Sequence, residues 1–255
     1  MILLRAMMCA VSFLSRIPAP GRGELPPRVA GLSVAFFPAV GLLLGAASWG
    51  AAWLLFDRLA FAPHLIWALM LVALHALLTG ALHLDGLSDV VDGLGGSRGD
   101  RDRALEIMKD PRIGAFGVVA LILILTGKTL LMNEVLHVPA RAAMLLAYPM
   151  IARFAAALLL VFVPSARATG LAHTFHQEAR WPAVLVAAVT VGGVLWAQGG
   201  VAAVPAAWAM GAGLATGLYL AARLRGLTGD GYGAAIELAE LGFLFAAALP
   251  RIRGG

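Results

Sequence analysis

The chain has 255 residues, of which 61% are hydrophobic and 13% charged, with a formal net charge of +5. Soluble domains carry about 25% charged residues, so this composition, with a mean hydropathy of +0.88, excludes an ordinary soluble protein and indicates an integral membrane protein. The single cysteine, Cys9, excludes an internal disulfide and a cysteine-cluster metal site.

Residues 1–15 are apolar but too short to span a ~30 Å hydrocarbon core, and no small-residue cleavage site follows a basic start. They read as an interfacial or re-entrant helix, with a cleavable signal as the alternative. Seven later stretches approach the ~20 apolar residues that a span needs: 30–56, 61–84, 114–132, 142–163, 182–198, 201–222 and 234–250. The expected fold is all-α, a single polytopic helical bundle over residues 1–255. The fifth and sixth spans meet at Gln198, Gly199 and Gly200 with no charge between them, which makes that hairpin the least sharply bounded.

Alternating the loops places Arg5, Arg16, Arg22, Arg28, Arg98, Arg101, Arg103, Lys109, Arg112, Arg167, Arg180, Arg223 and Arg225 on one side. Arg58, Arg141, Arg251 and Arg253 fall on the other. The positive-inside tendency then makes the N-terminus and loops 85–113, 164–181 and 223–233 cytoplasmic, the C-terminus external, and a bacterial inner membrane the expected location. Anionic membrane lipid accounts for a pI near 10.1, and no nucleic-acid-binding motif is visible.

Where the second span ends, TGALHLDGLSDVVDGLGG at 79–96 carries Asp85, Asp89 and Asp92, in a chain with only 14 acidic residues. On a helix these offsets put all three carboxylates within a sector of roughly 60°. Such a cluster repels itself unless a cation sits there, and hard oxygen ligands suit Mg²⁺ or Mn²⁺ rather than zinc. A solvated helix end is the alternative. His83, two residues before Asp85, points to a different face; it reads either as a contact to substrate phosphate or as a satisfied interfacial histidine.

The loop that follows has flexible backbone at 95–99, Asp100 as a candidate N-cap, and a short helix over 101–110 stopped by Pro111. Its basic residues beside the carboxylates could hold a diphosphate, since arginine binds phosphate in a bidentate fork; an amphipathic helix on anionic headgroups is the other reading. Far along the chain, LTGDGYGAAIELAE at 227–240 brings a second acidic group. Glu237 and Glu240 are costly inside an apolar span and are expected to face the bundle interior or a polar cavity. Asp230 and Glu237 stack on one face if the last helix starts early, whereas the glycines around Asp230 suggest a tight turn close to a ligand. Lys128 and Arg153 lie inside spans, so each calls for an acidic partner or a polar cavity. His64 and His75 read as structural, and the three-residue spacing of His173 and His176 is weak evidence for metal.

The strings LHLDGLSDVVDGLGG and RALEIMKDPRIGAFG, at 82–96 and 103–117, resemble the membrane-bound cobalamin synthases, the adenosylcobinamide-GDP ribazoletransferases of the late vitamin B12 pathway. FLSRIP at 13–18, FFPAVGLLLG at 36–45 and the 227–240 block extend the resemblance from the N-terminus to the last helix. ArgGlyLeu at 225–227 stands where the family has a Gly-Gly pair before the threonine, and residues 134–222 match only in hydropathy.

The resemblance implies transfer of cobinamide phosphate from adenosylcobinamide-GDP to the ribose hydroxyl of α-ribazole or its 5′-phosphate, with release of GMP and a requirement for Mg²⁺. On this reading Asp85, Asp89, Asp92, Asp230 and Glu237 hold metal, with Asp92 as the base. Lys109 and Arg112 neutralise the leaving GMP, and His83, Arg101 and Thr228 contact substrate. Oligomeric state stays open, a homo-oligomer included. Two rivals are another Mg²⁺-dependent membrane transferase, of the CDP-alcohol phosphotransferase or prenyltransferase type, and a divalent-cation transporter. The first lacks the AlaArg expected two residues after AspGly, since Leu87 and Ser88 are followed by Asp89. The second calls for acids near the bilayer midplane, which only Glu237 and Glu240 approach.

Overall fold

The computed structural model describes residues 1–18, 26–59 and 63–254; Arg22 lies outside them, and the side chains of Arg251 and Arg253 are likewise undescribed. The helices in chain order are α1 (Ile2–Leu14), α2 (Pro27–Ser33), α3 (Phe37–Ala52), α4 (His64–Thr79), α5 (Leu82–Gly96), α6 (Arg101–Ile107), α7 (Ala115–Leu136), α8 (Arg141–Phe162), α9 (Leu171–Glu178), α10 (Trp181–Ala197), α11 (Ala203–Leu224) and α12 (Gly229–Gly254). A 3₁₀ turn, Val34–Phe36, joins α2 to α3, and a π-helical segment, Trp53–Leu59, extends α3.

Among the described residues five segments are long and apolar enough to cross a membrane: Pro27–Leu55, Ala115–Leu136, Arg141–Phe162, Ala203–Leu224 and Gly229–Pro250. Two bent pairs, α4 with α5 and α9 with α10, turn through 89° and 94° and bring the number to seven if each counts as one span. The polytopic bundle expected from hydropathy is therefore present. The second span is shorter than its apolar run, because Gly80 and Ala81 both take left-handed backbone (φ +62° and +56°) and end α4 at Thr79. Residues 82–84 belong instead to α5, which leaves at nearly a right angle. The short helix α6 likewise ends at Ile107, three residues before the expected limit.

Small residues let the helices touch. A Cβ on Gly41 would stand 2.4 Å from the Pro149 carbonyl oxygen, and one on Gly45 would stand 2.6 Å from that of Leu146. The FFPAVGLLLG string is thus a contact surface on which α3 lies backbone to backbone against α8, the usual device of membrane bundles. Helix α8 is buried along most of its length and forms the centre. Helix α1 buries Ala6, Ala10 and Leu14 and exposes Ile2, Leu3 and Leu4. Its C-terminal end docks on the α4–α5 break, where Arg16 N donates to the Leu78 carbonyl at 2.7 Å.

The loops that charge counting places on one side meet at one end of the bundle. Arg101 Nε donates to the Leu224 carbonyl at 2.8 Å, tying the α5–α6 region to the end of α11. Ala166 and Leu227 pair through two backbone bonds, Ala166 N to Leu227 O and Leu227 N to Pro164 O, each 2.8 Å. Gly226 permits that approach, since with φ +137° a Cβ there would meet the 164–166 backbone at 2.7 Å. Arg225 before it closes α11 in left-handed conformation (φ +57°), a position that favours glycine.

Replacing Gly41 with alanine forces α3 away from α8 at a contact between backbones. The expected result is a loss of a few kcal/mol, on the scale of other overpacked cores, read as a lowered melting temperature in detergent; Arg225→Gly is expected to raise it.

Candidate active site at the contact of α5 and α12

The N-terminus of α12 is built by its own sequence. Thr228 is buried, and its Oγ1 accepts from Gly231 N at 3.1 Å, so the helix starts at Gly229 and puts Asp230 in its first turn. Gly86 then lets α5 come into direct contact, for a Cβ there would lie 2.8 Å from the Asp230 carbonyl oxygen and 2.9 Å from its Cα. One turn on, a Cβ on Gly233 would meet the His83 backbone at 3.1 Å. These two glycines bring Asp230 beside Asp85 and Asp89, and Asp89 feels the charges of Asp85, Asp230 and Asp92 together with Arg167. Asp85 is exposed, while Asp89 and Asp230 are half-buried. Arg167 is a cation beside them, with Nη2 3.3 Å from Asp230 Oδ2 and a buried Nε that has no partner among the described residues.

The other two expected metal ligands do different work. Asp92 is buried and accepts from Gly114 N at 2.7 Å and Gly117 N at 2.9 Å, capping the start of α7. A Cβ on either glycine would stand 2.4 Å from the carboxylate, which is the reason for the spacing in the IGAFG string. Glu237 lies seven residues beyond Asp230, about 10 Å along the helix axis, and pairs with Lys128. The fold therefore brings Asp85, Asp89 and Asp230 together, while Asp92 has both oxygens bonded to backbone N–H groups and Glu237 is paired with Lys128.

The basic residues also divide. Arg101 spends its guanidinium on the Leu224 and Ala166 carbonyls and on Asp102. Arg112 clamps Asp110, holding that carboxyl low, at about 2, through its side chain and backbone N–H. Lys109 stands exposed beyond α6. Thr228 caps the start of α12. Arg167, which sequence reasoning left among the cytoplasmic charges, is the guanidinium at the carboxylates; it falls in the stretch without a matching string, and the only signal was its place on the cytoplasmic side.

Below this site the bundle interior holds a closed set of charges. Lys128 Nζ lies 2.5 Å from Glu237 Oε2 and 2.6 Å from Glu240 Oε2; Arg153 Nη1 bonds Glu240 Oε1. His75 Nε2 is 3.0 Å from Glu240, and its Nδ1 is 3.1 Å from the Tyr148 hydroxyl. The buried charges of the spans thus have the acidic partners that their cost demands. His173 and His176 form no metal pair: His176 Nδ1 bonds the Leu160 carbonyl at 2.8 Å.

Among the described residues no three carboxylate, imidazole or thiol groups already converge closely enough to hold an ion. The donor chemistry at Asp85, Asp89 and Asp230 nevertheless fits Mg²⁺. That ion keeps several waters and is bound through one or two carboxylates plus substrate phosphates rather than by an all-protein cage.

The family model described as cobalamin-5-phosphate synthase matches residues 6–248. The chain belongs to this family. It is 39% identical over 250 residues to an adenosylcobinamide-GDP ribazoletransferase of Pseudomonas paraeruginosa, covering 96% of this chain and 98% of the relative. It is 40% identical over 242 residues to one of Geotalea daltonii, covering 94% and 95%, and 37% identical over 259 residues to one of Desulfitobacterium hafniense, covering 96% of each. No solved structure matches the chain. Family membership decides against both rivals drawn from the sequence. The transporter reading also meets an interior in which Glu237 and Glu240 are already neutralised by Lys128 and Arg153.

Lys128→Met leaves Glu237 in an apolar interior without its cation and Glu240 with Arg153 alone. It is expected to cost about 3–5 kcal/mol, the scale for removing one partner of a buried pair, seen as lost folded yield and a lower melting temperature. Adding Glu237→Gln to Lys128→Met should recover part of that loss.

Proposed function

We propose that the chain is an adenosylcobinamide-GDP ribazoletransferase. It joins the corrinoid phosphate of adenosylcobinamide-GDP to the ribose hydroxyl of α-ribazole or its 5′-phosphate and releases GMP at the cytoplasmic face of the inner membrane. The observation that carries this reading is the carboxylate group formed where Gly86 lets α5 touch the first turn of α12, inside a chain of the cobalamin-5-phosphate synthase family.

The acceptor oxygen attacks the phosphorus attached to the corrinoid, the bond from that phosphorus to the oxygen of GMP breaks, and the hydroxyl proton passes to a carboxylate. On this reading the proton passes to Asp85 or Asp230, through an oxygen not engaged by the metal, since both line the pocket that opens between α5 and α12. Arg167, bonded to Asp230 through Nη2, would offer the rest of its guanidinium to a phosphoryl oxygen. Mg²⁺ held by Asp85, Asp89 and Asp230 would supply charge stabilisation at the phosphoryl oxygens. An exposed Asp85 suits a substrate as large as a corrinoid, which needs a site open at the membrane surface. The basic loops around this end favour both a diphosphate and anionic lipid.

Purified protein given adenosylcobinamide-GDP, α-ribazole phosphate and Mg²⁺ is expected to release GMP and form the cobamide. EDTA should stop release, and Asp89→Ala should lower it by about 100-fold or more, the scale of removing one electrostatic stabiliser. Full activity in EDTA and in Asp89→Ala would contradict the metal assignment.

A further inference from the structure

A pocket of about 130 Å³ opens on the inner side of the carboxylates, with Asp85 and Asp230 at its rim. Its wall is apolar: Phe13 from α1, Phe37 from α3, Leu160 from α8 and Ile236 from α12. Two polar groups interrupt that wall. His83 is 3% exposed and Tyr232 5% exposed, and both line the pocket. The His83 Nε2 atom and the Tyr232 hydroxyl have no hydrogen-bond partner among the described residues, although each is buried.

A buried donor left unpaired costs about 1–3 kcal/mol, so two in one pocket call for an occupant. The identity of that occupant follows from the donors. Arg153 Nη2 lies 3.3 Å from His83 Nδ1, and a guanidinium can only donate, so Nδ1 accepts and the proton sits on Nε2. The ring therefore presents an N–H from the edge opposite Arg153, and the tyrosine hydroxyl can donate or accept. Apolar walls with a donor in their midst fit a flat aromatic base that carries a bare ring nitrogen. They do not fit a phosphate or a sugar, which would leave most of their own polar atoms unpaired against phenylalanine and leucine.

We infer that this pocket binds the heteroaromatic base of the acceptor nucleoside, with His83 and Tyr232 as the groups that recognise its ring nitrogen. The inference rests on the function proposed above and deepens it. A base seated here directs its ribose towards Asp85 and Asp230, so the hydroxyl that attacks stands at the carboxylates, while the diphosphate approaches from the open side at Arg167. Arg153 is a positioning residue in this arrangement, fixing the His83 ring without touching ligand. Helix α1 gains a role as well, because the FLSRIP string supplies Phe13 to the wall and, through Arg16, the anchor on the α4–α5 break.

Two measurements on the full chain in detergent test this. The first is calorimetric binding of α-ribazole in EDTA, with no corrinoid present. Wild type should bind, free 5,6-dimethylbenzimidazole should compete, and Tyr232→Phe, which keeps the ring and removes the hydroxyl, should weaken binding about tenfold. The second is steady-state turnover, in which Tyr232→Phe should raise the KM for α-ribazole by a similar factor and leave the KM for adenosylcobinamide-GDP within twofold of wild type. Equal binding by wild type and Tyr232→Phe, or competition by the free base against the corrinoid substrate instead of α-ribazole, would overturn the inference while turnover by wild type upheld the reaction. Absence of GMP release by folded wild type would overturn the reaction itself.

Discussion

Lys128, Arg153, Glu237 and Glu240 are buried in the middle of an apolar bundle, and each is neutralised from another helix. No water is available in hydrocarbon to solvate a charge that loses its partner, so these contacts permit one axial register of α7, α8 and α12. A shift of α12 by a single residue would rotate its two glutamates off Lys128 and Arg153. His75 and Tyr148 extend the same set to α4 and to the middle of α8. The position of Asp230 at the end of the bundle depends on this, because it sits two turns above Glu237 on the same helix.

From that fixed register the site is assembled by contacts that only glycine allows. Gly86 and Gly233 bring α5 against α12, Gly114 and Gly117 let two backbone N–H groups reach Asp92, and Gly226 lets the α11–α12 loop pair with 164–166, next to Arg167. Each of these glycines lies in or beside a string that looks catalytic in sequence. Their work is to set distances between backbones. Arg153 connects the two levels, since one end of its guanidinium holds Glu240 and the other orients His83 beside the pocket.

Much of the fold was legible from hydropathy, because spans in lipid must satisfy every backbone group internally and so announce themselves as long apolar runs. The near-right-angle break at Gly80 and Ala81 was not, since α4 and the start of α5 are equally apolar and the turn is a matter of two left-handed residues. Asp85, Asp89 and Asp230 were legible as hard ligands in strings of the right kind. The helix cap made by Asp92 and the lysine pair made by Glu237 were not legible, because one-dimensional spacing cannot tell a carboxylate that faces a ligand from one that caps a helix or neutralises a lysine. Glu240 and Lys128 show the converse: burial cost alone implied partners, and the partners are there. Arg167 and Tyr232 carried no such mark, one in a stretch without matching strings and the other hidden as an ordinary aromatic.

The central claim is that three acids, Asp85, Asp89 and Asp230, form the divalent-cation site and that Asp92 and Glu237 do not belong to it. The most direct test is the electron paramagnetic resonance signal of Mn²⁺ bound to the purified protein in the presence of GDP. It should be compared across Asp85→Asn, Asp230→Asn, Asp92→Asn and Glu237→Gln, using material shown to be folded by gel filtration. The account predicts that the first two lose bound Mn²⁺ and the last two keep it. Loss in Glu237→Gln or Asp92→Asn equal to that in Asp85→Asn, or retention in Asp230→Asn, would contradict it.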